Sequence, residues 1–370
     1  MRIAFAAGGT GGHLYPALGV AEELLRRDRA SECLFLVSRR GVERGVLEGF
    51  GFPFVELPAS AFGSICSFRV VPALARMILA YREAGRLMRE RGMQALVGFG
   101  AYVSVPPALS ARAMGIGVVI HEANAVMGRA NRLLSRVADA VALGMPSGER
   151  RRAGTRCEVT GIPLRRGIVR GMERDEARRI LGLPTGGFTL LVMGGSQGAR
   201  ALNDAAAGAA GILARVKGMQ VVHLAGERGC GEVREAYRRA GLAAAVFPYI
   251  EEMERAYAAA DLAVCRAGAM TLAELAQAGL PAITVPFPRA VGNHQEANAR
   301  LYEKAGGAET LLERDLTPAG LAERVIRRAK DTAAREKMSR AMRGLARPDA
   351  AAKLADLIEK TVRACARVRV

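Results

Sequence analysis

The chain of 370 residues is half apolar, with 24% charged and 5% aromatic residues. This length and apolar content can fill two cores of ordinary size, which excludes a small disulfide-stapled fold and global disorder. The formal net charge of +18 attracts polyanions, anionic lipid or phosphorylated substrates without selecting among them.

Cysteine spacing and the N-terminal segment limit the class of protein. The six cysteines lie far apart without a C-x-x-C pair, so we expect reduced thiols and neither a disulfide framework nor a metal site. Glycine follows after seven residues, which leaves no room for the apolar segment of a signal peptide. The longest uncharged window, residues 93–111, contains two glycines and two prolines and makes a poor membrane span. We therefore expect a protein that is soluble or bound to a membrane surface.

The first half of the chain alternates between predicted strands and helices. Short apolar runs followed by helix-period stretches are typical of βα units around a buried parallel sheet. The predicted strands are residues 2–7, 33–37, 95–97, 118–120 and 140–142, and the predicted helices include 16–27, 71–91 and 129–138.

A second series of alternating predicted strands and helices begins at residue 188. The apolar strand 188–193 again runs into a glycine-rich turn, and a helix follows it to Leu213. Residues 161–171 are the predicted linker, and further strands are predicted at 220–224, 244–247, 262–265 and 282–285. The pattern predicts two doubly wound α/β domains, 1–162 and 163–345, with a cleft between them. The final helical stretch, 350–363, could cap either domain, and we expect residues 346–370 to pack on the N-terminal domain.

Two glycine-rich turns, Gly8–His13 and Gly194–Gly198, follow the first strand of each domain. Counting G-x-G-x-x-G from Gly9 places Leu14 where the third glycine belongs, so the dinucleotide fingerprint fails. No Lys directly follows a Gly, which excludes a P-loop. Glycines and the N–H groups at a helix N-terminus still suit a phosphate or diphosphate, and the alternative is a tight turn alone.

Six motifs occur in a fixed order along nearly the whole chain. They are Gly8–His13 with Pro16 and Ala17, 98–104 (GFGAYVS), 121–124 (HEAN), 161–165 (GIPLR), 194–200 (GGSQGAR) and 265–274 (CRAGAMTLAE). Each motif is weak alone, but together they closely resemble the MurG family of peptidoglycan N-acetylglucosaminyltransferases. One position departs from that pattern, because the family commonly has Asn where Ile162 stands.

The resemblance implies a GT-B fold, in which two Rossmann-like domains face a cleft. It implies that the N-terminal domain takes lipid I, the undecaprenyl-diphospho-muramoylpentapeptide acceptor, and that the C-terminal domain takes UDP-N-acetylglucosamine. The implied reaction is an inverting displacement by the muramoyl 4-hydroxyl that yields lipid II for peptidoglycan synthesis, without a metal or another cofactor. The implied location is the cytoplasmic face of the plasma membrane, as a peripheral protein, with a cell-wall synthesis complex as a further partner.

On the donor side, the departing diphosphate gains negative charge and requires N–H groups and a cation. The resemblance assigns Arg165 and Ser196 to the diphosphate, together with Gln197 and Gly198 of the same turn. The alternative for Arg165 is a solvated charge in the linker.

The rest of the donor is assigned to later segments. The resemblance implies that the backbone of Ile250 contacts the uracil and that His294 and Gln295 contact the sugar hydroxyls. It implies that the Glu274 carboxylate accepts hydrogen bonds from both ribose hydroxyls. The alternative is that Glu274 forms a capping box with Thr271 at the start of a helix. The remaining donor contacts that it implies are Ala269, Met270 and Thr271.

On the acceptor side, His13 is the candidate general base, because imidazole suits proton transfer near neutral pH. The alternative is a neutral imidazole bonded to the backbone of a tight turn. His121, Glu122 and Asn124 follow a predicted strand, at the carboxyl end where α/β sheets place their sites. Glu122 and Asn124 are candidates for catalysis and His121 and Asn124 for substrate binding, and the alternative is orientation of the cleft floor. The further substrate contacts are Thr10, Gly11, Gly12 and Tyr102.

Residues 68–91 combine an apolar stripe and a basic stripe. The two sets at helical spacing are Val71, Leu74, Ile78 and Tyr81, and Arg82, Arg86 and Arg89. Apolar anchors beside cations suit an interfacial helix on anionic lipid. The alternative is an ordinary amphipathic core helix.

Three rival functions follow from parts of the pattern. Another GT-B enzyme with a lipid acceptor, such as a diacylglycerol glucosyltransferase, would share the glycine turns and the helix that carries Glu274. The charge of +18 suggests a nucleic-acid-binding protein, but aromatic residues are few and do not interleave with a basic stripe, so we expect no nucleic-acid partner. The failed fingerprint disfavours an oxidoreductase.

Overall fold

The computed structural model of the chain describes residues 1–8, 11–38, 43–59, 70–146, 155–195 and 198–368. The chain divides into two compact units, Met1–Arg165 with Pro348–Val370, and Arg166–Arg347. Each unit is built on one parallel sheet packed with helices, which confirms the prediction of two doubly wound α/β domains.

The first unit contains a sheet of seven strands. They are β1 (Arg2–Ala6), β2 (Glu32–Ser38), β3 (Phe54–Leu57), β4 (Ala95–Gly98), β5 (Gly117–Glu122), β6 (Ala140–Leu143) and β7 (Arg156–Val159). The order across the sheet is β3-β2-β1-β4-β5-β6-β7. The helices between them are α1 (Gly11–Arg27), α2 (Glu43–Phe50), α3 (Val70–Glu90), α4 (Val105–Ala113) and α5 (Arg129–Leu134).

Strand β1 shows how this sheet is buried on both faces. Ile3 and Phe5 belong to one core cluster, in which the ring of Phe5 stacks on that of Phe35 at 5.2 Å between centroids. Ala4 and Ala6 belong to a second cluster on the opposite face. Because successive side chains alternate between faces, a strand that is buried on both faces carries a continuous apolar run, such as residues 3–6 of β1, and the sequence reveals it for this reason.

The second unit repeats the design with six strands. They are β8 (Phe188–Met193), β9 (Met219–Leu224), β10 (Ala243–Phe247), β11 (Leu262–Cys265), β12 (Ala282–Thr284) and β13 (Ala308–Thr310), in the order β10-β9-β8-β11-β12-β13. Its helices are α6 (Arg166–Arg170), α7 (Arg174–Ile180), α8 (Arg200–Leu213), α9 (Cys230–Arg239), α10 (Met253–Ala259), α11 (Ala269–Ala278), α12 (His294–Lys304), α13 (Pro318–Lys330) and α14 (Thr332–Leu345).

The last helix, α15 (Ala350–Val368), belongs to the first unit and lies against α1 and β5. The Arg27 guanidinium at the end of α1 donates to Asp356 at 2.6 Å, to Glu359 at 3.0 Å and to the carbonyl of Ala352 at 2.9 Å. Leu354 is fully buried in the same core cluster as β1. Charge pairing and apolar burial therefore both hold the end of the chain on this unit.

Several elements differ from the sequence prediction. Strands β3, β7 and β13 were not predicted; each lies at the edge of its sheet and is half-exposed, so it lacks a continuous apolar run. Helix α1 begins at Gly11 rather than at Pro16, which places the glycines Gly11 and Gly12 in its first turn. The predicted linker 161–171 contains α6 and the junction between the two units.

Candidate functional site

Each sheet reverses its strand order at its centre, between β1 and β4 in the first unit and between β8 and β11 in the second. In doubly wound sheets, ligands bind at the carboxyl ends of the strands at such a reversal, because the loops there turn away from each other. The two glycine-rich turns follow β1 and β8, and both therefore lie at a reversal point. Of their predicted residues, Thr10, Ser196 and Gln197 lie outside the described residues.

In the first unit, His13 stands in the first turn of α1 and is half-buried. A Cβ atom at Gly100 would lie 3.4 Å from Nε2 of His13 and 3.4 Å from Nδ2 of Asn131. Gly100 has a φ of +88°, which glycine adopts without strain, and its missing side chain permits this approach. The structure thus brings His13 beside the turn after β4, which continues into Tyr102.

The carboxylate of Glu122 organises the turn after β5. Its Oε1 accepts from the backbone N–H of Asn124 at 2.9 Å and from Nδ2 of the same residue at 3.1 Å. Its Oε2 accepts from the backbone N–H of Gly128 and from Nδ2 of Asn131, both at 2.9 Å. Glu122 is buried, and each of its oxygens accepts two hydrogen bonds from this turn and α5. This geometry favours the alternative named above, in which Glu122 and Asn124 orient the site.

His121 is also buried in the structure. Its Nε2 lies 3.1 Å from the carbonyl oxygen of Gly161, and its ring packs near that of Phe99. Burial lowers the pKa of His121 below the ordinary value of 6.5. A neutral ring that donates to Gly161 fastens β5 to the segment leading to Arg165, so the structure favours an orienting role over a direct substrate contact.

Arg165 closes the first unit with its guanidinium over an aromatic ring. The guanidinium carbon lies 4.5 Å from the ring centroid of Tyr15, which follows His13 in the first part of α1. The preceding segment also packs on α1, since a Cβ at Gly19 would meet the carbonyl oxygen of Leu164 at 3.0 Å. The predicted cation is therefore fixed on α1 rather than carried by a solvated linker.

In the second unit, Gly198 of the glycine turn packs tightly against the end of β9. Gly198 has a φ of +71°, and a Cβ there would lie 2.6 Å from the carbonyl oxygen of Ala225, at the end of β9. Helix α8 then begins at Arg200 after Ala199, whose side chain makes no cap. A helix N-terminus with uncapped N–H groups carries partial positive charge and suits an anion.

A buried polar network positions Ala225 against that turn. Asn203 of α8 donates from Nδ2 to the carbonyl of Ala225 at 2.8 Å. Its Oδ1 lies 3.1 Å from Nε2 of His223, and Nδ1 of His223 lies 2.8 Å from the Tyr237 hydroxyl. All three side chains are buried, so this network fixes the distance between α8 and the carboxyl end of β9.

Helix α11 follows β11 and carries four predicted donor residues. Gly268 is its N-cap, and Ala269, Met270 and Thr271 form its first turn. The alternative of a capping box between Thr271 and Glu274 is wrong, because the helix starts before Thr271. The Glu274 carboxylate is buried and accepts a hydrogen bond from the Tyr257 hydroxyl at 2.6 Å.

The remaining donor candidates also follow strands at the carboxyl edge. After β12, Gln295 accepts from the backbone N–H of Phe287 at 2.9 Å, and Nδ1 of His294 lies 2.8 Å from the carbonyl oxygen of Val291. Ile250 lies just after β10 and is half-buried. These contacts close the loop after β12 and place its two polar side chains at the start of α12.

Sequence reasoning missed three residues of these sites: Asn131, Asn203 and Tyr257. Each is a polar or aromatic residue inside a helix, where such residues are ordinary, so periodicity carries no signal for them. Their importance lies in partners that are 9, 22 and 17 positions away in the sequence.

A cavity of about 750 Å³ lies at the opposite edge of the second sheet. It is lined by residues that precede β11 and β12, such as Asp261 and Pro281, and by side chains of α14. This cavity is separate from the glycine turn, which lies at the carboxyl edge of the same sheet.

The described part of the chain contains neither a cluster of metal ligands nor a helix suited to span a membrane. In the described ranges, no three His, Cys, Asp or Glu side chains come together as ligands for a metal ion. No helix in the described part of the chain has both the length and the apolar character that crossing a bilayer requires.

The buried His223 predicts a specific pH dependence of stability. Burial lowers the pKa of His223 from 6.5 to about 3. Between these values the unfolded chain binds a proton that the native chain excludes, so the free energy of unfolding falls by about 1.4 kcal/mol for each pH unit of acidification.

We expect His223→Gln to remove this contribution, because the amide does not titrate. Urea unfolding of both proteins between about pH 4.5 and about pH 7.5 measures it. The wild-type chain should lose its advantage over the variant as the pH falls from 6.5. A constant difference in unfolding free energy across that range would contradict the argument.

Comparisons with known proteins agree with the motifs. Residues 3–143 match the N-terminal domain of glycosyltransferase family 28, and residues 189–358 match its C-terminal domain. The UDP-N-acetylglucosamine--N-acetylmuramyl-(pentapeptide) pyrophosphoryl-undecaprenol N-acetylglucosamine transferase of Syntrophus aciditrophicus is 39% identical over 326 residues, which cover 88% of this chain and 89% of that protein. The protein of the same name from Methylococcus capsulatus is 42% identical over 356 residues, which cover 96% of this chain and 97% of the relative.

A solved structure extends this likeness to the fold. The crystal structure of Acinetobacter baumannii MurG aligns with a TM-score of 0.76 at 32% identity, over 97% of this chain and 99% of that one. The predicted GT-B fold and the resemblance seen in the motifs are both confirmed. The chain belongs to glycosyltransferase family 28, among the N-acetylglucosamine transferases of the MurG type.

Proposed function

We propose that this enzyme transfers N-acetylglucosamine from UDP-N-acetylglucosamine to the muramoyl 4-hydroxyl of lipid I and so forms lipid II. The observation that carries the proposal is the pair of glycine turns, one at the reversal point of each sheet. Each of two diphosphate-bearing substrates can bind at one such turn, because glycines and helix N–H groups suit phosphate anions. The names of the relatives supply the identity of the two substrates.

The second unit takes the donor in this proposal. The glycine turn 194–198 and the uncapped start of α8 hold the diphosphate, and Arg165 adds positive charge. Glu274 accepts the ribose hydroxyls, the backbone at Ile250 meets the uracil, and residues 294–295 meet the sugar. The first turn of α11 completes the site, because it starts at the same carboxyl edge.

The first unit takes the acceptor. His13 accepts the proton of the muramoyl 4-hydroxyl while the 4-oxygen attacks the anomeric carbon of N-acetylglucosamine. The bond between that carbon and the diphosphate oxygen of UDP breaks, and the anomeric configuration is inverted. The turn at Gly100 and Tyr102 lies beside His13 and borders the acceptor. Glu122 and Asn124 position this site through the turn after β5 and exchange no proton with substrate.

The test of the proposal is transfer of labelled N-acetylglucosamine to a lipid-linked muramoylpentapeptide diphosphate, with wild-type chain and His13→Ala. Removal of the base should lower turnover about 10²-fold or more. The dissociation constant for UDP should remain unchanged, since His13 is not among the proposed donor contacts. No transfer by the wild-type chain would refute the function. Full turnover by the variant would refute the role of His13 alone.

We further propose that helix α3 holds the enzyme on the cytoplasmic face of the plasma membrane. In the apolar stripe of α3, the side chains of Val71, Leu74 and Ile78 are 73%, 51% and 51% exposed. Another face of α3 packs in the core through residues such as Met77 and Met88. The alternative of an ordinary core helix thus explains the buried face of α3 but does not explain the exposed apolar stripe. Exposed arginines follow the apolar stripe along the helix: Arg82, Arg86 and Arg89.

Binding to vesicles that contain anionic lipid tests this surface. We expect wild-type binding to weaken as salt rises, because each basic residue near the surface contributes about 1 kcal/mol through a screened interaction. Ile78→Glu with Tyr81→Glu should abolish binding. The matched control is Ile180→Glu with Ile212→Glu, two exposed positions of the second unit. Equal binding by both double variants would remove α3 from the membrane interface.

A further inference from the structure

Tyr257 is a buried tyrosine whose hydroxyl links two helices of the second unit. It stands on α10 and donates at 2.6 Å to Oε2 of Glu274 on α11. The two residues are 4% and 7% exposed. A hydrogen bond from a phenol to a carboxylate at this distance is charge-assisted and stronger than a neutral one.

We propose that Tyr257 is a positioning residue for donor binding: it holds the Glu274 carboxylate in the orientation that accepts the ribose hydroxyls. The inference rests on the ribose role of Glu274 proposed above. Tyr257 itself makes no contact with the donor in this account and acts only through Glu274.

The bond to Tyr257 limits the conformational freedom of the Glu274 side chain. A glutamate side chain has several rotatable bonds, and ordering it when a ligand binds costs free energy. The bond to Tyr257 orders the carboxylate before the ligand arrives. The burial of Ala256 and Ala259 packs helix α10 into the second unit on both sides of Tyr257 in the sequence, and so holds the tyrosine in place.

The position of Tyr257 in the second unit also suits a supporting role. Tyr257 also lines the cavity at the amino-terminal edge of the sheet, together with Asp261 and Gly279. The predicted donor residues of α11 start at the other edge, after β11. Tyr257 therefore connects Glu274 to the residues that border this cavity.

A purely structural role would predict a different behaviour. If the bond only joined α10 to α11, its loss would lower stability and weaken every donor ligand equally. If it orients the carboxylate for ribose, its loss weakens only those ligands whose ribose hydroxyls Glu274 accepts. Tyr257→Phe separates these cases, because it removes the hydroxyl and keeps the packing of the ring.

The experiment measures the dissociation constants of UDP and 2′,3′-dideoxy-UDP, which lacks both ribose hydroxyls, by calorimetry. The wild-type chain should bind UDP more tightly than 2′,3′-dideoxy-UDP. We expect Tyr257→Phe to weaken the binding of UDP about five- to tenfold and that of 2′,3′-dideoxy-UDP less than about twofold, in line with one net hydrogen bond. In a Glu274→Ala background, Tyr257→Phe should have no further effect on UDP. The matched control is Tyr302→Phe, a buried tyrosine of α12, which should leave both constants unchanged.

The outcomes separate this inference from the function on which it rests. Equal weakening of both nucleotides by Tyr257→Phe, or no weakening of either, would overturn the positioning role while the wild-type preference for UDP still stands. A wild-type chain that binds both nucleotides equally would overturn the ribose role of Glu274 and the inference with it. Thermal melting of each variant without ligand verifies that it is folded.

Discussion

The reversal of strand order at the centre of each parallel sheet is the constraint on which the sites depend. From β1 the chain winds outward to β3 and then returns to β4, and from β8 it winds to β10 and returns to β11. The loops that leave the two central strands therefore turn in opposite directions and leave a crevice at the carboxyl edge. Each predicted acceptor or donor turn that the structure describes follows the carboxyl end of a strand in its sheet.

Glycine turns alone do not fix a site, because their backbones need support. Buried polar contacts support segments at the same carboxyl edges: the Glu122 carboxylate the turn after β5 in the first unit, and the Asn203 amide Ala225, against which Gly198 packs, in the second. Such groups cost free energy when buried without partners, and here they have partners with defined directions. They fix the positions of the loop backbones that these contacts join.

The sequence allowed the central strands and both glycine turns to be predicted, since apolar runs and glycines are local signals. Edge strands such as β7 were missed because half-exposed residues break the apolar run. The capping box at Thr271 was wrong because the backbone of Gly268 already starts the helix. Asn203 and Tyr257 could not be recognised, because a side chain's tertiary partner leaves no trace in the periodicity around it.

A crystal structure of the chain with UDP-N-acetylglucosamine tests the central claim most directly. The account predicts the diphosphate against the N–H groups of the turn at Gly198 and the start of α8, and the ribose at Glu274. A nucleotide bound instead in the cavity beside Asp261 and Pro281, at the opposite edge of the same sheet, would contradict it.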